Sequence, residues 1–430
     1  MNKKVPLSLV IAIVLVAMTI TFSITMVEAQ RLFDQNVSSV QEKSAMYDKL
    51  AKLDTTVRDH YYQEIDDKIL YDAMAEGYLK GLPDSNNRYY TDAQYKFLQA
   101  KLEGRSMSVG VEVIKDASSG YMRVVKVYDA SPAMEMGIVK GDYISKIGDS
   151  SVTGYSAERV RTTLQGDEGT TVTLTVISTD GAVTQERDIT LTRRSFTIPS
   201  VESQLVRQTA YIKLIDFNGR TYNEFYTQYQ QLIAEGAKAL ILDVRDNTST
   251  DLDSVCNVLD LLLPSGTLLS GEYKGGELKT LYTSDDVAAN LPIVVLTNET
   301  TAFGAELFAA DLQGYGAAKL VGVKTAGQGT IQEIYPQQDG SALQITVATM
   351  IPGPGNNGNI FDKIGVTPDF EVTLTDEQKQ NFYNLTIVDD GQIQQAIRVA
   401  ESLIRGSGES VSDSAVDSEA QPPEDSSAQP

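Results

Sequence analysis

A hydroxyl and an amine in the second half of the chain are the side chains best suited to nucleophilic chemistry. Thr301 lies in a polar turn after an apolar run at residues 293–296, and Lys324 follows a second, mostly apolar run with a strand signal at residues 318–323. A lysine whose pKa is lowered can take the proton from a threonine hydroxyl, and the oxygen can then attack an acyl carbon. The simpler interpretation of Lys324 is a surface lysine or a lysine at a strand end.

The residues around this pair predict the elements that would hold it. The two apolar runs are typical of buried strands, residues 302–312 have apolar side chains at helical spacing, and residues 325–330 form a glycine-rich loop. A strand that ends at a helix start beside a glycine loop often builds an active site. The reason is that the first turn of a helix offers free N–H groups and the positive end of the dipole.

Other residue types exclude several chemistries. The single histidine, His60, lies far upstream in a predicted helix, so a Ser-His-Asp triad is not expected. The single cysteine, Cys256, cannot form an intrachain disulfide and is expected on a buried helix face. No cluster of residues has metal-ligand spacing, and no cofactor is expected. A net charge of −22, from 36 basic and 58 acidic residues, argues against nucleic acid as a partner.

Residues 298–332 resemble the C-terminal processing peptidases, which are serine peptidases of the S41 type. Their pattern is Asn-Glu-Gly-Ser-Ala-Ser-Ala-Ser-Glu after a strand, a helix ending near Gln-Asp-Tyr-Gly, and then Val-Gly-x-Lys-Thr-x-Gly-Lys-Gly-x-x-Gln. The spacing matches without a gap. The shared residues are Asn298, Glu299, Glu306, Gln313, Tyr315, Gly316, Val321, Gly322, Lys324, Thr325, Gly327, Gly329 and Gln332.

The chain departs from this pattern at the positions that carry the chemistry. The family's nucleophilic serine falls on Phe303 and its general-base lysine on Gln328. A phenyl ring has no attacking atom, and a neutral amide cannot act as the base. Gln332 keeps the residue that accompanies the lysine and is expected to be structural. Phe303 is expected to fill the nucleophile's space against apolar neighbours rather than to bind a ligand.

A third departure lies after a predicted strand at residues 239–244. The family pattern there is Arg-Asn-Asn-Pro-Gly-Gly, in which a glycine N–H helps to form the oxyanion hole. This chain reads Arg-Asp-Asn-Thr-Ser-Thr at residues 245–250, without either glycine. With nucleophile, base and oxyanion glycines replaced, no catalytic residue is expected. Thr301 and Lys324 are the only fallback pair.

Residues 105–195 resemble a PDZ domain, and the run SPAMEMGIVKGDYISKIGDSSVTG at 131–154 carries the resemblance. It implies that an extended peptide adds as a strand and that its C-terminal carboxylate sits in a loop of backbone N–H groups. The loop would be residues 108–110 and the strand residues 111–114. The predicted peptide-binding residues are Ser108, Val109, Gly110, Val111, Glu112, Val113, Val160 and Leu164. A groove that is closed or occupied in cis is the alternative.

The family usually has Arg-Gly after the helix that lines this groove, but this chain has Gln165-Gly166. If that arginine couples the PDZ domain to the catalytic domain in the family, the same coupling is not expected here.

The N-terminus has the features of a membrane anchor. Residues 5–27 are uncharged and would span about 34 Å as a helix, enough to cross a bilayer. Lys3 and Lys4 precede this run and predict a cytoplasmic N-terminus. We therefore expect an uncleaved signal anchor, although Val27-Glu28-Ala29 is a weak cleavage site.

The predicted fold is α+β and multidomain. Residues 1–29 are the transmembrane helix, 30–104 a helical N-terminal segment in which Thr91 caps a helix, and 105–195 a β-barrel-like PDZ domain. Residues 196–404 are an S41-type core, for which the resemblance implies a ClpP/crotonase-like mixed α/β fold. Residues 405–430 are polar and acidic and are expected to be a disordered tail.

The sequence therefore predicts a membrane-anchored, extracytoplasmic pseudopeptidase. Its partners would be protein C-termini or extended peptides, bound through the PDZ domain and left uncleaved. It could act as a homo-oligomer or in a pair with an active relative. The alternatives are an active peptidase that uses Thr301 and Lys324, and a structural scaffold with a silent PDZ domain.

Overall fold

A computed structural model describes the backbone of residues 7–180, 183–285, 288–353 and 360–413. Side chains are described for these residues except 7–15, 28–43, 179–180, 183 and 407–413. The chain divides into two compact units, Met1–Met74 and Ala75–Pro430.

The first unit is dominated by one long helix, α1 (Leu7–His60). No proline or glycine occurs between its ends, so the predicted anchor and the helix expected after it are continuous. The predicted anchor, residues 1–29, lies largely outside the residues whose side chains are described. Among the described residues, no helix combines the length and apolarity needed to cross a bilayer.

The helical N-terminal segment continues with α2 (Asp67–Lys80), a short strand β1 (Arg88–Tyr90) and α3 (Asp92–Leu102). The predicted cap at Thr91 is confirmed. Its hydroxyl accepts from the N–H of Gln94, and the Gln94 side chain accepts from the N–H of Thr91. The strand β1 was not expected, because its partner lies in the core domain.

The second domain is a small β structure with the apolar cluster that its sequence predicts. Its elements are β2 (Arg105–Ser108), β3 (Val111–Lys115), β4 (Met122–Val127), α4 (Pro132–Glu135), β5 (Tyr143–Ile147), β6 (Ser150–Ser151), α5 (Ala157–Leu164), β7 (Thr171–Asp180), β8 (Val183–Thr192) and β9 (Arg194–Thr197). The main sheet has the order β3-β4-β5-β7-β8, with β6 paired to β5. The strand β3 is therefore an edge strand, and α5 packs beside it.

The core domain is a layered α/β structure. Its elements are β10 (Val201–Val206), β11 (Thr209–Leu214), α6 (Thr221–Ala234), β12 (Ala239–Asp243), α7 (Leu252–Asp260), β13 (Gly266–Tyr273), β14 (Glu277–Ser284), β15 (Ile293–Thr297), α8 (Gly304–Gly314), β16 (Ala318–Gly322), β17 (Thr330–Pro336), β18 (Ala342–Pro352), β19 (Phe370–Glu371), α9 (Asp376–Gln380) and α10 (Gly391–Asp413). The first sheet has the order β10-β11-β12-β15-β16-β19 and is parallel from β11 onward.

The central strands are buried on both faces, which explains their continuous apolar runs. In β12, Leu240 and Leu242 belong to the cluster that includes residues of α6, α7 and α8, whereas Ala239 and Ile241 pack with α10. The same alternation runs through β15 and β16. The sheet is thus held between two helical layers.

A second sheet was largely missed by the sequence analysis. Its order is β1-β18-β13-β14, and β17 also pairs with β18. The outer strand of the hairpin, β14, is mostly exposed and has few apolar residues. It therefore lacks the alternation of apolar and polar residues that is typical of a half-buried strand.

The C-terminal segment is helical but interrupted. It is split into α9, a 3-10 turn at Phe382–Asn384 and α10. Asp390 starts α10 by accepting from the N–H groups of Gln392 and Ile393. The helix α10 extends to Asp413, beyond the predicted start of the tail at residue 405, because each added helical residue gains a hydrogen bond. Residues 414–430 lie outside the described part.

Candidate functional site

The site lies where three parallel strands end. Residues 245–250 follow β12, residues 298–303 follow β15, and residues 323–329 follow β16. Neighbouring strands are in register here, with Asp243 beside Leu296 and Thr297 beside Gly322. The carboxyl ends of parallel strands are the usual place for a site in such sheets.

Phe303 occupies a sharp turn between β15 and α8. Its backbone has φ 55° and ψ −119°, a conformation that a bulky residue rarely adopts and that costs about 1–3 kcal/mol. The side chain is half-buried and is not among the buried core residues of the described chain. The expectation that it packs as core filling is therefore met only in part. The strained turn is kept although it carries no nucleophile.

The N–H groups at the start of α8 are already satisfied. Gly304 N–H donates to the carbonyl oxygen of Ser249 at 2.9 Å, Ala305 N–H to Ala302 at 3.2 Å and Glu306 N–H to Phe303 at 3.0 Å. This corrects the expectation of free N–H groups at this helix start. The chain's own carbonyl groups occupy these donors, which an oxyanion would otherwise use.

The close approach of Ser249 O to the start of α8 depends on glycine at position 304, which has no Cβ atom. A Cβ atom at Gly304 would lie 3.0 Å from the Ser249 oxygen and 2.8 Å from Cγ2 of Val255. Both distances are tighter than ordinary contacts. The family pattern has alanine at this position, so Gly304 and the altered loop at 248–250 fit each other.

The loop after β12 is fixed to the loop after β15. Asp246, whose φ is 61°, donates its N–H to Asn298 Oδ1 at 3.0 Å and accepts from Asn298 Nδ2 at 2.7 Å. Ala302 N–H donates to Asn247 O at 3.0 Å. These bonds leave the two loops closed against each other.

The structure shows no hydrogen bond between the side chains of Thr301 and Lys324 among the described residues, although Ala326 N–H donates to Thr301 O at 3.0 Å. The Thr301 side chain is fully buried, and its hydroxyl donates at 3.0 Å to either Val244 O or Asn298 Oδ1 while accepting from Asn298 N–H. Lys324 is exposed, and no hydrogen bond between described residues joins it to Thr301. The Thr301 hydroxyl is thus bonded to backbone and amide groups, and the Thr-Lys pair stays an untested alternative.

Gln328 and Gln332 form part of an amide network in the place of the general base. Asn86 Nδ2 donates to Gln328 Oε1 at 3.0 Å, and Gln332 Nε2 donates to Thr330 Oγ1 at 2.7 Å. Gln332 Oε1 is buried, and no partner lies among the described residues. Gln328 thus links the N-terminal segment to the glycine loop.

Glu306 holds the glycine loop against α8. Its fully buried carboxylate accepts from the hydroxyl of Thr325 and from the N–H groups of Gly327 at 2.6 Å and Gln328 at 2.7 Å. Burial raises the pKa of Glu306, and these hydrogen bonds oppose the rise. These three contacts therefore fix the glycine loop to the first turn of α8.

Arg245 forms a buried ion network that the sequence analysis did not predict. It contacts Asp243 at 2.7 Å and Asp390 at 2.8 Å, and Tyr211 OH donates to Asp243 at 2.7 Å. Burial disfavours the charge on Arg245, but the two carboxylates raise its pKa overall. The only sign of this ion network in the sequence is Asp243, a charged residue in an otherwise apolar strand.

The predicted peptide groove lies between β3 and α5. Val113 and Val160 are fully buried and Leu164 is 2% exposed, and all three side chains belong to the apolar core of this domain. Arg161 Nη2 also donates to Val113 O at 3.4 Å. The peptide-binding role of these residues stays a prediction, and so does the alternative of a closed groove.

The predicted carboxylate loop, residues 108–110, requires a glycine at its last position. Gly110 has φ 89°, and a Cβ there would lie 2.0 Å from Cβ of Ser131. Its N–H donates to Ser108 Oγ at 3.2 Å.

Among the described residues, no group of three or more His, Cys, Asp or Glu side chains could hold a metal ion.

Comparison with known proteins identifies both domains. The family described as "Peptidase family S41" matches residues 208–372, and the family described as "PDZ domain" matches residues 123–178. The matched ranges fall within the domains expected at 196–404 and 105–195.

The chain is also similar to whole proteins. It is 27% identical over 381 residues to the carboxy-terminal processing protease CtpA of Bacillus subtilis, covering 87% of this chain and 80% of that protein. It is 26% identical over 383 residues to the carboxy-terminal-processing protease of Bartonella bacilliformis, covering 87% and 86%. A solved putative S41 protease from Bacteroides fragilis has the same fold, with a TM-score of 0.53, 18% identity, and coverage of 80% of this chain and 91% of that one.

Proposed function

We propose that this chain, a PDZ domain joined to a peptidase family S41 domain and related to the carboxy-terminal processing proteases, is a membrane-anchored pseudopeptidase. It binds protein C-termini or extended peptides outside the cytoplasm and does not cleave them. The peptidase domain serves as a folded body for the PDZ domain rather than as a catalyst.

One observation carries the proposal of inactivity. Phe303 occupies the turn where the family has its nucleophile. The next backbone N–H, that of Gly304, already donates a hydrogen bond to Ser249 O at 2.9 Å. Acyl transfer needs an attacking atom and free donors for the developing oxyanion, and the loss of one donor alone costs about 10²–10³ in rate. Both are missing at the same turn.

Two further features support the same proposal. Gln328 stands where the base would be and is bonded to Asn86 at 3.0 Å. Thr301, the only hydroxyl considered as a substitute nucleophile, is fully buried and bonded to backbone and amide groups. These bonds favour a structural role for Thr301 over a relocated Thr-Lys site.

The experiment is a cleavage assay with the full-length chain in detergent and a disordered protein substrate that ends in apolar residues. We expect no cleavage by mass spectrometry and no labelling by a fluorophosphonate probe. Thr301→Ala and Lys324→Ala serve as controls. Cleavage by the wild type that disappears in either variant would establish the relocated site and refute the pseudopeptidase.

Peptide binding is proposed from the PDZ domain and is tested separately. A fluorescent decapeptide with an apolar C-terminus should bind the full-length chain, and amidation of its carboxylate should weaken binding at least about tenfold. Val160→Phe, which adds bulk beside β3, should weaken binding as well. If no member of a C-terminal peptide library binds even at millimolar concentration, the peptide-receptor proposal fails.

The anchor, the location and the assembly are proposed from the sequence. The uncharged run at residues 5–27 after Lys3 and Lys4 favours a single membrane pass with a cytoplasmic N-terminus. The partner would be a second copy or an active relative. Protease added to intact cells should remove the chain beyond about residue 30. Full protection would contradict this location.

A further inference from the structure

Arg193 is a half-buried cation that has no carboxylate partner among the described residues. It lies between β8 and β9, directly before Arg194, whose Cα pairs with that of Ser108 at the start of the predicted carboxylate loop. Burial lowers the pKa of Arg193, and no acidic group offsets this effect. The neighbouring Arg194, in contrast, is paired with Glu135.

The guanidinium of Arg193 reaches the end of the groove helix α5. Its Nε donates to Leu164 O at 3.2 Å and its Nη2 to Thr163 O at 3.0 Å. Its Nη1 donates to Thr170 Oγ1 at 3.1 Å and to Thr171 O at 3.0 Å. These bonds use four of the five N–H groups of an arginine. The fifth, on Nη2, has no acceptor among the described residues.

Gly166 places this cation next to the loop. Its N–H donates to Met107 O at 3.3 Å, and a Cβ at Gly166 would lie only 2.6 Å from Cδ of Arg193. The bare backbone of Gly166 thus leaves room for the arginine side chain. The guanidinium therefore stands beside the helix end and the loop that frame the predicted site for a peptide's terminal carboxylate.

We infer that Arg193 supplies the positive charge that recognises the terminal carboxylate of a peptide in the PDZ groove. This inference rests on the proposed peptide binding and names one residue of that site. A guanidinium held by neutral carbonyl groups keeps its net charge for an incoming anion, and hydrogen bonds between charged groups are stronger than neutral ones.

Capping of α5 is the competing role, because cations at a helix C-terminus are stabilising without any ligand. A capping arginine would affect a peptide with a free carboxylate and the matching carboxamide equally. A carboxylate-binding arginine would affect only the first. The comparison of the two peptides therefore separates the roles, whatever Arg193 contributes to folding.

The experiment measures the Kd of both decapeptides for the full-length wild type, Arg193→Gln, Arg193→Lys and the control Arg194→Gln. We expect Arg193→Gln to weaken binding of the free carboxylate at least about tenfold and that of the carboxamide less than about twofold. Arg193→Lys should keep part of the preference, and Arg194→Gln all of it. An equal loss for both peptides in Arg193→Gln would overturn the inference and leave the proposed function intact.

A second measurement uses the wild type alone, so it does not depend on the folding of a variant. Phenylglyoxal modifies accessible arginines, and mass spectrometry locates the adducts. The free-carboxylate peptide should protect Arg193 from modification several-fold, and the carboxamide peptide at the same occupancy should not. Unprotected Arg193 in a saturated complex would also overturn the inference, whereas no binding of either peptide would refute the proposed function itself.

Discussion

The N–H of Gly304 and the carbonyl oxygen of Ser249 lie 2.9 Å apart and join the start of α8 to the loop that follows β12. The loop that carries oxyanion glycines in related proteins is here folded onto the helix start. The two departures from the family pattern, at Gly304 and at residues 248–250, therefore form one contact.

Restoring the nucleophile alone should not restore activity. Phe303→Ser supplies a hydroxyl, but Gln328 cannot accept its proton and Gly304 N–H remains bonded to Ser249. We expect no fluorophosphonate labelling of Phe303→Ser in the full-length chain. Phe303→Ser with Gln328→Lys can gain labelling, but turnover should also need glycines at 249 and 250. Efficient substrate cleavage by Phe303→Ser alone would contradict this account of the site.

Gly304→Ala should lower stability, because its Cβ would lie 3.0 Å from Ser249 O and 2.8 Å from Val255 Cγ2. Overpacking of this kind typically costs about 1–3 kcal/mol. The control is Gly154→Ala, since no atom lies within 4 Å of a Cβ there. Thermal denaturation should give a clearly lower Tm for Gly304→Ala than for Gly154→Ala. Equal Tm values would mean that the loop gives way without cost.

Arg245→Met should be strongly destabilising. It leaves Asp243 and Asp390 buried without their partner, and breaking a buried pair in this way costs about 3–5 kcal/mol. The control is Arg207→Gln, which removes an exposed ion pair with Glu401 and should cost less than about 1 kcal/mol. Urea denaturation measures both. Similar losses for the two variants would show that the buried network adds little.

Asp311 should make stability fall as pH rises above about 4. The carboxyl is fully buried, one oxygen accepts from Gly353 N–H at 2.8 Å, and burial raises the pKa of Asp311 well above its ordinary value. The folded state therefore keeps a proton that the unfolded state releases. The stability that this proton provides is fully present below the pKa of Asp311 in the unfolded state. As pH rises from there to the pKa in the folded state, the free energy of unfolding falls by up to about 1.4 kcal/mol per pH unit.

Asp311→Asn removes this titration and keeps an oxygen for Gly353. We measure the free energy of unfolding of both proteins by urea denaturation from pH 4 to pH 8. The value for Asp311→Asn should rise relative to that of the wild type as pH rises. A difference between the two that does not change with pH would show that Asp311 titrates normally in the folded chain.

The amino-acid sequence by itself determined that a PDZ region precedes an S41 region in the chain. The PDZ and S41 resemblances rest on gapless local spacing, such as that from Asn298 to Gln332, and the family matches at residues 123–178 and 208–372 bear them out. Helices with a local signal were also predictable, as the cap at Thr91 illustrates. Local patterns are sufficient in these cases because the interacting groups are close in the chain.

Only the tertiary structure decided which groups meet. Asn86 bonds to Gln328 across 242 positions, and Arg245 bonds to Asp390 across 145. The strand β1 could not be predicted from its own three residues, because it forms only by pairing with β18 in another domain. Likewise, Arg193 reaches the end of α5 only because β9 pairs with β2. Hydrogen bonds and ion pairs form between groups that the fold brings together, and spacing along the chain carries no record of such distant partners.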